Sequence, residues 1–217
     1  MSYGGDAQSL LSIIKTLEKS DIGDIIGRRI NEFVKMRGRS EDEWFSELCF
    51  CILTANSSAR MGIKIQNNIG ASGFLHMTKE ELSNALKKLG YRFYNKRAEY
   101  IVGARIIYGK LHDNILEATD DNERRVFLVR NVRGIGYKEA SHFLRNIGYL
   151  NYAIIDRHVL RMMEKYGLID ECPRTTLSPR KYLDYEKVLI SLANKAGMAV
   201  GELDLYLWYM ATGEVLK

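Results

Sequence analysis

The sequence predicts an all-α protein, and three observations carry that prediction. Apolar residues recur at three- and four-residue steps along most of the chain. No period-two alternation persists long enough to build a sheet. Only two prolines, Pro173 and Pro179, interrupt 217 residues. Hydrophobic residues make up 46% and charged residues 27%, a globular balance that can form a core without disulfides or metal.

The elements follow in order. Leu10, Leu11, Ile14 and Leu17 form the stripe of an amphipathic helix. Ser40 with Glu43 three residues on is a capping box. It opens the run 44–53, which is apolar on nearly every face and is therefore expected at the centre of the core. Cys49 and Cys51 lie in this run and read as small buried hydrophobes. With Cys172 they make three thiols, too few for a four-thiolate zinc or iron–sulfur site, and no disulfide framework is implied. Thr78 and Glu81 repeat the capping pattern before Leu82, Leu86 and Leu89. Helical patterns continue through 95–111, 121–131, 137–147, 156–166, 182–196 and 200–212, punctuated by Gly90, Gly134, Gly136, Gly148 and Gly167. Segment 171–179, which holds both prolines, reads as a loop between helices.

No apolar run approaches the ~20 residues a membrane helix needs. Residues 1–6 lack the basic-then-apolar pattern of a signal peptide. A soluble, cytoplasmic protein is expected. With 32 basic and 27 acidic residues the chain carries +5 at pH 7, which suits a polyanionic partner without demanding one.

The chemistry concentrates in residues 128–161. A helix is expected to end near Val132, Gly134-Ile-Gly136 to make a tight turn whose glycines allow positive φ and close backbone approach, and a second helix to start around Tyr137. Successive amides at such a turn, with the dipole of the following helix, form a nest for a phosphate. A plain helical hairpin explains the glycines equally well. Lys138 sharpens the reading. In the first turn of a helix the dipole and burial both disfavour an ammonium, so the position suits a neutral amine nucleophile. Asp156 follows an apolar triplet and precedes a helical run, which makes it an N-cap. Held by backbone amides, its carboxylate stays ionised and can stabilise a cationic transition state. His158, two residues on, faces another side of the helix and is assigned no role.

Residues 134–140, Gly-Ile-Gly-Tyr-Lys-Glu-Ala, followed by Ile154-Ile-Asp156-Arg-His158, resemble the helix–hairpin–helix DNA glycosylases, including the lysine of their bifunctional glycosylase/lyase members. Members resembling endonuclease III carry a four-cysteine cluster after the aspartate, and only Cys172 follows Asp156 here. Segments 50–59, 89–98 and 204–209, with a terminal Lys217, are similar to the compact archaeal-type 8-oxoguanine DNA glycosylases. The resemblance spans most of the chain. It implies one glycosylase domain over 1–217, with two helical subdomains, 45–155 and 1–44 plus 156–217, flanking a DNA-binding cleft. The helix–hairpin–helix motif, at about 121–147, is expected at their junction.

The resemblance also implies roles. Lys138 and Asp156 would be catalytic, and Gly134 and Gly136 would bind DNA. Asn56 and the Tyr91-Arg92-Phe93 cluster would hold the orphaned partner strand, with Phe93 as wedge and Asn56 and Arg92 as donors to the estranged cytosine. The plainer readings are a helix cap for Asn56 and a core aromatic for Phe93. Lys96 and Arg97 suit phosphates or solvent better than bases. Lys217 would read the oxidised base through its α-carboxylate. 8-Oxoguanine carries a proton on N7 where guanine has a lone pair, and a carboxylate only accepts. Trp208 would stack near it, unless it is simply core. The implied partner is double-stranded DNA containing oxidised guanine, met by a monomer. No redox cofactor or catalytic metal is required, and the family allows a monovalent cation at the hairpin carbonyls. Two alternatives stay open: a related enzyme for another damaged base, and a non-catalytic DNA-binding module.

Overall fold

The computed structural model describes residues 6–217, so residues 1–5 of the segment read for a signal peptide lie outside the described residues. Twelve α-helices and no strand occur among the described residues, in accord with the all-α expectation. They are α1 (Ala7–Glu18), α2 (Asp21–Met36), α3 (Glu41–Thr54), α4 (Ala59–His76), α5 (Lys79–Lys88), α6 (Tyr94–Ala104), α7 (Leu111–Glu117), α8 (Asp121–Asn131), α9 (Tyr137–Asn146), α10 (Arg157–Lys165), α11 (Pro179–Ala196) and α12 (Val200–Thr212). None of them is long and apolar enough to cross a membrane.

The chain forms two compact units, Lys35–Ile147 and Met1–Val34 with Gly148–Lys217. Their limits fall at 34/35 and 147/148, not at the 44/45 and 155/156 expected from the sequence. Local bonds explain the shift. The Trp44 indole donates to the Met36 carbonyl at 2.8 Å, which draws the segment before α3 into the α3 unit. The Gly201 amide donates to the Leu150 carbonyl at 2.8 Å, which joins residues after 147 to α12.

In the unit Lys35–Ile147, α3 is the hub and packs against α4, α6, α7 and α9. Every residue from Trp44 to Thr54 is buried, Cys49 and Cys51 included, as a run apolar on nearly every face predicts. Burial also pushes the Cys49 thiol well above its ordinary pKa. The Ser40 and Thr78 capping boxes form as expected. In the other unit, α11 packs on α1 and on α12, and α10 packs on α12.

Three expectations about elements change. The stretch 95–111 is not one helix: α6 ends at Ala104, a 3-10 turn spans Arg105–Ile107, and Gly109 has φ 83°. The Arg105 guanidinium donates to the carbonyls of Phe74 at 2.9 Å and Met77 at 2.6 Å, tying this break to the end of α4. Helix α11 starts at Pro179, within the segment read as a loop; Ser178 caps it, and a proline in the first position has no amide bond to lose. Finally, α2, α4 and α7 were not singled out from the sequence, and α4 carries a non-helical Gly70 with φ 66°.

Candidate active site

The hairpin forms where expected. Helix α8 ends at Asn131 with Val132 as its C-cap, and α9 begins at Tyr137. Gly134 is required twice over. Its φ is 88°, and a Cβ there would overlap the Tyr100 ring. Gly136 does not use the positive φ that glycine allows: at φ −102° and ψ −171° it is the extended N-cap of α9. Its amide donates to Glu139 Oε2 at 3.2 Å, and the Ile135 amide donates to the Val132 carbonyl at 3.2 Å. The turn is therefore not an open row of amides, because two of them bond within the motif. The spacing Gly136-x-x-Glu139 is half a capping box, a signal present in the sequence but not used.

Lys138 stands in the first turn of α9 with its side chain about one-quarter exposed, and its Nζ lies 3.8 Å from Glu139 Oε1. The far end of α9 is fixed by a buried polar network. Asn146 donates to Glu47 Oε1 at 2.6 Å, Gln66 donates to Glu47 Oε2 at 3.2 Å, and Arg145 Nε donates to Asn146 Oδ1 at 3.0 Å. Losing one partner from such a network costs about 1–3 kcal/mol, so α9 is held firmly on α3.

In the same unit, Asn56 follows the last turn of α3. At φ 59° it is the one non-glycine residue with positive φ among the described residues, and its side chain is exposed. Asparagine tolerates this conformation better than most residues, and strained backbone of this kind is a mark of functional loops. Two carbonyls beside it are tied down. The Tyr91 hydroxyl donates to the Leu53 carbonyl at 2.7 Å, and Arg97 Nη2 donates to the Ala55 carbonyl at 2.6 Å.

Both bonds give structural roles that the sequence reading did not include. Tyr91 is 2% exposed, its phenol pushed above the ordinary pKa by burial, and its hydroxyl braces the loop. Arg97 is buried, so it is not the solvent-facing group the sequence allowed. Arg92 is exposed with its guanidinium 5.0 Å from the Phe93 ring centroid. Phe93 is half-buried and meets Tyr91 edge-on at 6.3 Å. Asn56, Arg92 and Phe93 therefore stand on one scaffold, in which Tyr91 bonds to the Leu53 carbonyl and meets the Phe93 ring.

The unit Met1–Val34 with Gly148–Lys217 holds Asp156, Trp208 and Lys217. Residues 152–155 are buried yet form neither helix nor strand, so their backbone groups need partners. Helix α11 supplies them: Glu186 accepts from the Ala153 amide at 3.1 Å, and the Tyr182 hydroxyl donates to the Ala153 carbonyl at 2.7 Å and accepts from the Ile155 amide at 3.2 Å. This clamp delivers Asp156 to the start of α10. Its Oδ1 accepts from the His158 and Val159 amides, each at 2.8 Å, which is the N-cap the sequence predicts. Tyr182 and Glu186 were missed because nothing local links them to a segment some thirty residues earlier.

The His158 ring meets the Trp208 ring edge-on, with centroids 4.9 Å apart. The Trp208 Nε1 is buried with no hydrogen-bond partner among the described residues, an orphaned donor that costs about 1–3 kcal/mol. After α12 the chain turns at Gly213, with φ 76°, and residues 214–217 are half-buried. No group of three or more His, Cys, Asp or Glu residues suited to a metal ion occurs among the described residues.

The family described as 8-oxoguanine DNA glycosylase matches residues 26–198. The 8-oxoguanine DNA glycosylase/AP lyase of Methanocaldococcus jannaschii is 53% identical over 208 residues, covering 96% of this chain and 99% of that protein. The Korarchaeum cryptofilum protein of the same name is 47% identical over 208 residues, covering 96% of this chain and 98% of its own length. A crystal structure of the Methanocaldococcus jannaschii enzyme in complex with a 15mer DNA containing 8-oxoguanine matches with TM-score 0.92 at 52% identity, over 96% of this chain and 100% of that one. The 8-oxoguanine DNA glycosylase of Thermotoga maritima matches with TM-score 0.91 at 43% identity, over 97% and 100%. The glycine turn with its first-turn lysine, the capping aspartate and a likeness that runs nearly end to end agree: this chain belongs to the 8-oxoguanine DNA glycosylase family.

Proposed function

We propose that this protein excises 8-oxoguanine from duplex DNA and cleaves the strand at the resulting abasic site by β-elimination. The observation that carries this reading is its end-to-end similarity, at 52% identity and TM-score 0.92, to an enzyme solved with DNA containing 8-oxoguanine.

Base removal requires the lesion to leave the stack, at a cost of a few kcal/mol. Phe93 fills the gap, and Asn56 and Arg92 donate to the acceptors of the estranged cytosine. Tyr91 belongs to the scaffold beneath them. The terminal carboxylate of Lys217 accepts the N7–H of 8-oxoguanine, while guanine would set a lone pair against it. A mismatch of that kind costs about 1–3 kcal/mol. Trp208 flanks the base. As the bond from N9 to C1′ breaks, the sugar gains positive charge, which the amide-held carboxylate of Asp156 stabilises. The Lys138 amine attacks C1′. Ring opening gives the imine, and loss of a C2′ proton then expels the 3′ phosphate. Lys138 leaves by hydrolysis, so atoms and charge balance without a redox partner. The protein acts as a monomer inside the cell, where its DNA substrate resides.

The test is a duplex with one 8-oxoguanine opposite cytosine, run beside a panel of other modified bases. Cleavage at 8-oxoguanine, ending in a 3′ unsaturated aldehyde, is the expected result. Cleavage at abasic DNA and another modified base, with 8-oxoguanine untouched, overturns the substrate assignment. A C-terminal extension should harm discrimination of 8-oxoguanine from guanine more than DNA binding; equal loss of both refutes the role of Lys217.

A further inference from the structure

Beside the hairpin, on the outer face of α6, lies a charged cluster with no part in the chemistry above. The Tyr100 ring carries Lys96 Nζ at 5.3 Å, Arg97 at 5.4 Å and Arg133 at 5.5 Å from its centroid. Arg97 is spent on the Ala55 carbonyl. Lys96 and Arg133 are exposed, and a single carboxylate bridges them: Glu99 lies 3.2 Å from Lys96 Nζ and 2.8 Å from Arg133 Nη1. Tyr100 also packs on the hairpin, since its ring occupies the space a Gly134 side chain would need. Arg133 is the residue before that glycine, so the cluster and the turn form one surface.

Exposed ion pairs contribute only ~0–1 kcal/mol, so fold stability gives little reason for this arrangement. It does order two long cations in advance on an aromatic platform, which lowers the entropy cost of holding an anion. The turn has need of such help, because Glu139 occupies the Gly136 amide and Val132 the Ile135 amide.

We propose that Lys96 and Arg133, set on Tyr100, form a site for a backbone phosphate of duplex DNA, and that Glu99 is the internal counter-anion which that phosphate displaces. The site rests on the reading that this protein acts on DNA, and extends it to a contact that is blind to the lesion. Glu99 then weakens binding to intact DNA, which helps the enzyme leave undamaged sequence.

The test is binding to an undamaged duplex by fluorescence anisotropy across a range of sodium chloride concentrations. Each phosphate contact contributes a slope of about −0.9 to log K against log salt. The double variant Lys96→Gln/Arg133→Gln should flatten the slope by roughly one phosphate contact, about 0.9. Glu99→Gln should tighten binding at low salt by roughly threefold to tenfold, and Arg133→Lys, which keeps the charge, should retain the slope. Thermal melts confirm that each variant is folded, as expected for exposed positions. An unchanged slope in the double variant, or unchanged affinity in Glu99→Gln, overturns the proposal. Because the duplex carries no lesion, a wild type that binds it yet ignores 8-oxoguanine counts against the substrate assignment and leaves this site standing.

Discussion

The imidazole of His158 meets the indole of Trp208 at a ring distance of 4.9 Å and an angle of 70°. The same residue donates its amide to the Asp156 carboxylate. One short stretch of α10 thus touches both the proposed electrostatic catalyst and the proposed base platform. An edge-to-face pair is worth about 0.5–1.5 kcal/mol. His158→Ala should raise KM for a duplex with 8-oxoguanine several-fold while leaving kcat nearly unchanged. It should also shift the tryptophan emission. Trp44 is fully buried, so the shift reports on Trp208. His158→Phe, which keeps the ring, should restore KM.

The two hairpin glycines should respond differently to the same change. Gly134→Ala forces a side chain onto a φ of 88° and into the Tyr100 ring. Positive φ alone costs about 1–3 kcal/mol at a non-glycine residue. Gly136 has ordinary extended backbone, and a Cβ there meets only Glu139 Oε2, at 3.3 Å, the end of a flexible side chain. Thermal melts should show Gly134→Ala destabilised by at least 1 kcal/mol more than Gly136→Ala. Equal losses would mean that the turn tolerates a side chain at both positions.

Asp156 combines a cap with a charge, and the two can be separated. Asparagine caps helices about as well as aspartate. Asp156→Asn should therefore keep the melting temperature within a few degrees while slowing release of 8-oxoguanine on the order of 10²-fold or more. A variant that unfolds would assign the carboxylate to the fold; one that excises at full speed would remove Asp156 from the mechanism.

Stability at high pH should depend on Tyr206. This phenol is 1% exposed, and burial, with Glu202 and Glu18 nearby, pushes its pKa from 10.0 up to about 12. Below pH 10 folded and unfolded chains both keep the proton, and the favourable contribution is fully present. Between pH 10 and about 12 the unfolded chain loses the proton first, so stability falls as pH rises. The slope is about 1.4 kcal/mol per pH unit. Tyr206→Phe should flatten this alkaline loss in melts recorded from pH 9 to 12.

What the sequence revealed was mostly local. The hairpin, the capping boxes at Ser40 and Thr78 and the cap at Asp156 all rest on residues two or three apart. What it hid was tertiary. Tyr91 and Arg97 bond to carbonyls 38 and 42 positions away, and no spacing rule distinguishes such braces from exposed contact residues. The break after α6 involves Arg105 reaching carbonyls 31 and 28 positions away. Helix α2 was legible through Ile22, Ile26 and Phe33 but went unused, whereas the kink at Gly70 in α4 has no signal beyond the glycine itself.

The proposed mechanism requires that Lys138 become covalently joined to the sugar of the lesion. Borohydride reduces an imine to a stable amine, so incubating enzyme, borohydride and a duplex with one 8-oxoguanine opposite cytosine should yield a cross-linked species. That species should form with wild type and be lost in Lys138→Gln, with the variant still folded and still bound to DNA. A cross-link that persists in Lys138→Gln, or a wild type that cleaves 8-oxoguanine DNA without ever being trapped, would contradict it.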